Sequence, residues 1–166
     1  MTINRVKVWR DPQTKEVRIY RSNADENSIE AGLLALTQAP AVVGHNFLKY
    51  DAQVIEKRHG IKLAKVYDTL NLMRLIFPEI KQNDMAHRRL HPDFPTKLIG
   101  KHSLEAWGHR LGIYKGDFKG PWESWTQPME DYCVQDVDVT EALMVRVLKH
   151  APADGAVELE HSFQAC

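Results

Sequence analysis

The run Ala41-Val42-Val43-Gly44 does most to limit the folds open to this chain. It is short, continuously apolar and β-branched at its centre, so it reads as a strand from a sheet interior rather than a surface strand. Covering both faces of such a strand takes helices, and the flanking residues supply them. Before it, Ser28 to Thr37 places Ile29, Leu33, Leu34 and Leu36 at helical spacing, with Ser28 as N-cap and Pro40 as the stop. After it, a helix is expected from about Asp51 to His59, closed by Gly60.

The rest of the chain extends this alternation. Ile3 to Trp9 sets Val6 and Val8 on one face. After an Asp11-Pro12 turn, Val17 and Ile19 alternate with Glu16, Arg18 and Tyr20, so the pair predicts a β-hairpin. A further strand is expected within Leu63 to Tyr67. A helix then begins at Asp68, its N-cap, runs through Leu70, Leu72, Met73 and Leu75 to Phe77, and stops at Pro78. Periodicity is lost from Lys81 to Lys101, which predicts a long polar loop with a basic bias from Arg88, Arg89, Lys97 and Lys101. Ser103 opens a helix with Trp107 at core spacing, Gly116 to Trp125 reads as a second loop, and a long helix is expected from about Pro128 to His150. Strands alternating with helices give an α/β class.

At 166 residues this is one domain with a single core. The formal net charge of +0 argues against a protein that wraps duplex nucleic acid, so any such contact is expected to be local. Cys133 and Cys166 make neither a disulfide framework nor a ligand set, which fits a reducing compartment. No apolar run is long enough for a membrane span, and the expected location is cytoplasmic. His87, His91 and His102 do not have zinc spacing.

Two constellations carry chemistry. In Gly44-His45-Asn46-Phe47-Leu48-Lys49-Tyr50-Asp51 a buried strand ends at a glycine, the chain turns, and a carboxylate stands at the next helix start, where open α/β sheets place their sites. Taken alone, Asp51 reads first as the cap of a helix N-terminus, where the dipole favours a carboxylate, and second as a ligand for a hard cation. In Tyr132-Cys133-Val134-Gln135-Asp136 a tyrosine and a carboxylate lie one helical turn apart on a mostly apolar stripe, extended by Val137 and Thr140. Alone this reads first as a half-exposed surface pair, with Asp138 solvated on another face.

Together the two constellations resemble motifs Exo II (Asn-x3-Tyr-Asp) and Exo III (Tyr-x3-Asp) of the DEDD exonuclease superfamily, tyrosine branch. The segments VGHNFLKYD, VYDTLNLMRLIFP, HSLEAWGHRLGIYKGDF and MEDYCVQDVDVTEALMVRVL are similar to the 3′→5′ proofreading exonuclease domain of family A DNA polymerases of short-tailed bacteriophages. The resemblance spans nearly the whole chain. It implies an RNase H-like mixed sheet flanked by helices over residues 1–150, with 151–166 leading toward a polymerase domain. It implies Asp51 and Asp136 as ligands for Mg²⁺ or Mn²⁺, and Tyr132 as the group that positions the attacking water. Asn46, Phe47, Leu48, Lys49 and Tyr50 would line the path of a single-stranded DNA 3′ end, which would be shortened to nucleoside 5′-monophosphates in the bacterial host cytoplasm.

The chain departs from the family in one respect. The family's first strand carries Asp-x-Glu, and no such tripeptide occurs in this sequence. Ile3 to Trp9 resembles the family's second strand. The expectation is a sheet that lacks its first strand. It would be completed by a separate polypeptide or a second copy of the chain, or left as an exonuclease-like domain that binds 3′ ends or acts structurally without cleaving.

Overall fold

A computed structural model describes residues 6–10, 14, 16–21, 26, 28–89, 92–113, 118–120 and 125–150. The expectations for residues 3–5, the Asp11-Pro12 turn, His91, most of the Gly116 to Trp125 loop and 151–166 lie outside these residues. Strands β1 (Val6–Arg10) and β2 (Val17–Arg21) form the expected antiparallel hairpin, with Val8 opposite Ile19. Helix α1 (Ile29–Gln38) follows, and Ser28 caps it by accepting the Ala31 N–H at 3.1 Å. Next come β3 (Val42–Gly44) and α2 (Asp51–His59), the latter ended by Gly60 in the left-handed conformation (φ 68°). Strand β4 (Val66–Asp68) runs directly into α3 (Thr69–Ile76).

Helix α4 (Ile80–His87) overturns the expectation of a polar loop from Lys81, and a 3₁₀ turn at Thr96–Leu98 orders the chain beyond it. The physical reason is an inward-facing polar residue. Asp84 is buried and takes a two-pronged ion pair from Arg110: Nε donates to Oδ1 at 2.8 Å and Nη2 to Oδ2 at 2.7 Å. Gly100 N–H adds a third bond to Oδ2 at 2.8 Å. Arg110 comes from α5 (Leu104–Leu111), capped by Ser103 as expected, and its guanidinium lies 4.6 Å from the centre of the Trp107 ring. The last helix, α6 (Gln127–His150), runs 24 residues.

The α/β expectation holds; among the described residues the strands form two separate pairs, antiparallel β1–β2 and parallel β3–β4. Accordingly β3 is paired on one edge only among the described residues, and Val43 is partly exposed, unlike a sheet-interior strand. Helix α6 lies against both β1 and β3 and is the platform they share.

In place of the single core expected, the described residues form three apolar clusters, the smallest of them Phe94, Leu98 and Ala106. One gathers Leu72, Met73, Ile80, Trp107, Val139, Leu143 and Val147 from α3 to α6. Another gathers Tyr20, Ile29, Leu33 and Ile55 from the hairpin, α1 and α2. The hairpin is tied to α6 by Glu130, 4% exposed, which accepts from Arg21 Nε and Nη2 at 2.8 Å each and from Trp125 Nε1 at 2.9 Å. Trp125 therefore takes part in packing, with Arg21 stacked over its ring at 5.0 Å.

Candidate functional site

Parallel pairing sets Gly44 opposite Asp68, and this register builds the loop that follows β3. Asp68 is 1% exposed. Its Oδ1 accepts the Asn46 N–H at 2.8 Å and the Leu70 N–H at 3.0 Å, and its Oδ2 accepts the Leu48 N–H at 3.1 Å. One carboxylate thus caps α3 and clamps the Asn46–Leu48 backbone. Such charge-assisted bonds are roughly twice as strong as neutral ones. Next to it, Thr69 Oγ1 donates to the Gly44 carbonyl at 3.1 Å and lies 2.9 Å from His45 Nδ1. The capping role of Asp68 is legible in the sequence. The clamp is not, because its donors come from a loop more than one element away.

Asn46 sits at φ 58°, the left-handed region that asparagine tolerates better than most residues. Phe47 folds back over Gly44: a Cβ built on that glycine would fall 2.5–2.8 Å from Phe47 side-chain carbons. Phe47 also packs against the Tyr20–Ile55 cluster, so it anchors the loop, while Leu48 is half-buried and Lys49 and Tyr50 are exposed. Asp51 is the exposed first residue of α2. The cap position belongs to Tyr50, which makes no side-chain capping bond, so Asp51 is a first-turn carboxylate and not the cap.

Tyr132 and Asp136 lie one turn apart in the first half of α6, both half-buried, and Asp138 is half-buried as well. The Tyr132 ring has the Phe118 ring 6.1 Å away, and Thr140 Oγ1 donates to the Asp136 carbonyl at 2.8 Å. Because β3 rests on α6, the loop it feeds and the Tyr132–Asp136 turn belong to neighbouring elements.

Asp51 and Asp136 are hard oxygen donors of the kind Mg²⁺ and Mn²⁺ prefer. Among the described residues, however, no three His, Cys, Asp or Glu side chains form a group able to hold a metal ion. Two carboxylates fall short of the donor set a two-ion site requires.

Asn46 also borders a cleft of about 620 Å³, lined by His45, Asn46, Leu70, Arg74 and the stretch Gly100 to Leu104. None of Asp51, Tyr132 or Asp136 lines it. In its wall, His102 is held down to about 4, first by burial and then by the charges of Arg110 and Arg74, so the ring is neutral near pH 7. No described helix is long and apolar enough to cross a membrane.

No protein-family model matches the chain. It is 32% identical over 163 residues to a DNA-directed DNA polymerase of Escherichia phage T7 and 36% identical over 163 residues to that of Enterobacteria phage T3. Each match covers 83% of this chain and 23% of the polymerase, so the chain spans about a quarter of the length of these relatives. The chain is thus homologous, over most of its length, to one segment of the phage DNA-directed DNA polymerases.

Proposed function

We propose that the chain is the 3′→5′ proofreading exonuclease part of a phage-type DNA polymerase, with an RNase H-like fold. The observation that carries this reading is the placement of the two motifs. Asn46 to Asp51 form a clamped loop and helix start beyond a parallel strand, and Tyr132 and Asp136 share a turn of the neighbouring helix. Homology to phage DNA polymerases supports the same reading. In it, Asn46 and the exposed Lys49 and Tyr50 guide a single-stranded 3′ end toward Asp51 and Asp136. The Tyr132 hydroxyl holds a water in line with the scissile phosphate. Divalent metal, when bound, supplies the positive charge that a phosphodiester cleavage needs.

Cleavage in this reading needs further carboxylates from an Asp-x-Glu strand. β1 and β3 both lie on α6 and, among the described residues, are not paired with each other, which leaves each with an edge that such a strand could join. A separate polypeptide, a polymerase segment or a second copy of the chain are the candidate donors. A second reading, a silent domain that binds 3′ ends without cleaving, is favoured by the lack of a three-ligand group among the described residues.

The test is a 5′-labelled single strand incubated with the chain and Mg²⁺ or Mn²⁺. A ladder growing from the 3′ end and lost in Asp136→Ala supports the exonuclease. Binding with no ladder supports the silent domain, and no binding refutes both.

A further inference from the structure

The cleft beside Asn46 has a charge pattern that the motif residues do not explain. Among the described residues its lining contains two cations, Arg74 from α3 and Lys101 from the segment before α5, and no acid. Both are exposed, and neither has a carboxylate partner among the described residues. The neighbouring charges are already satisfied: Arg110 is held by Asp84, and the Glu105 carboxylate is engaged by Lys97 at 2.8 Å. Arg74 and Lys101 have no ion-pair partner among the described residues, and although Glu105 and Asp84 act on the cleft from its surroundings, the two cations set a positive potential in a concavity whose low-dielectric walls focus it.

A second concavity offers a contrast. It lies between β2 and α1 and is lined in part by Glu16, Arg18, Arg21 and Glu26. There Arg18 is bound to Glu16 at 2.9 Å and Arg21 to Glu130 at 2.7 Å, so its cations are spoken for. Of the two concavities, only the Asn46 cleft is arranged for an anion. Its volume suits a nucleotide-sized group, and Asn46 and His102 place an amide and a neutral imidazole beside the cations.

We infer that Arg74 and Lys101 form a phosphate-holding subsite for the single strand, so that the strand runs from the Asn46 loop into the cleft between α3 and α5. This rests on the reading of the chain as a binder of single-stranded 3′ ends, and it adds the path and the residues that grip the backbone. The contacts are to phosphate, so they stabilise binding without base preference.

The experiment measures anisotropy of a 5′-fluorescein oligothymidylate with the full chain in EDTA, across a salt series. Arg74→Ala and Lys101→Ala are each expected to weaken binding about threefold or more and to reduce the salt slope by about 0.7, the value for one single-strand phosphate contact. Arg74→Lys should retain most of the affinity, and Lys62→Ala, an exposed cation outside the cleft lining, should leave it unchanged. Wild-type binding with slopes unaltered in both alanine variants overturns the subsite and leaves the single-strand reading standing. Failure of the wild-type chain to bind overturns that reading. Inorganic phosphate titrated against the His102 ring resonance then decides the cleft alone: a shift abolished by Arg74→Ala sustains an anion site, and no shift ends it.

Discussion

Replacing Asp68 tests whether one buried carboxylate organises the loop that carries the first motif. Asp68→Ala removes the α3 cap, worth about 1 kcal/mol. It also strips the Asn46 and Leu48 N–H groups of charge-assisted bonds, each worth about 1.5 kcal/mol at the low end of its range. The expected loss is about 4 kcal/mol. With a urea m-value of about 2 kcal/mol/M, the midpoint falls by about 2 M. Asp68→Asn should be milder. Its remaining oxygen, in the place of Oδ1, still accepts from Asn46 and Leu70, while its NH₂ faces the Leu48 N–H. That costs about 2 kcal/mol, a midpoint shift of about 1 M. Fluorescence of the buried Trp107 reports unfolding, and amide exchange at Asn46 and Leu48 reports the loop. A loss below about 1 kcal/mol in the alanine variant, or equal losses in both variants, refutes the clamp, since cap removal alone would cost that much.

Three further perturbations follow from the same geometry. Asp84→Ala leaves the Arg110 guanidinium, whose side chain is 10% exposed, buried without its partner, and should cost about 3–5 kcal/mol by urea titration. Gly44→Ala drives a methyl into Phe47 and should destabilise by about 1–3 kcal/mol, a cost that the double variant with Phe47→Ala relieves; additive losses would contradict the contact. For His102, the folded-state value of about 4 lies below the ordinary 6.5, so the unfolded chain binds the proton first as pH falls. Its contribution is complete above pH 6.5 and is lost as pH drops toward 4. The wild-type urea midpoint should therefore fall more between pH 7 and pH 5 than that of His102→Gln, and parallel curves would show that the ring is not held neutral.

The features legible in the sequence are those written in neighbouring residues. Ser28 and Ser103 announce helices because a cap needs only a hydroxyl three residues before its donor. Gly60 ends a helix because the left-handed turn favours glycine. The hairpin register follows from period-two alternation. What stayed hidden depends on distant partners. α4 faces inward through Asp84, a residue that hydrophobic periodicity counts as surface, and only Arg110 makes that position tolerable. Glu130 is buried for an equivalent reason, since Arg21 sits 109 residues away in the chain. The division of the strands into two pairs depends on which edges meet across α6, and no local pattern encodes that. In the candidate site, Asn46, Asp51, Tyr132 and Asp136 stood out by type and spacing, whereas Arg74 became relevant only once α3 and α5 were seen to share a cleft.

The short loop after β3 is moored to both halves of the protein. Phe47 is embedded with the cluster of the hairpin, α1 and α2, while Asp68, which grips the residues on either side of Phe47, opens the helix that places Leu72 and Met73 in the other cluster. The loop therefore behaves as a strain gauge between two cores. A shift of one core against the other would strain the Asn46 to Leu48 backbone together with the Arg21–Glu130 tie between the hairpin and α6. Lengthening the loop by even one glycine would slacken that link.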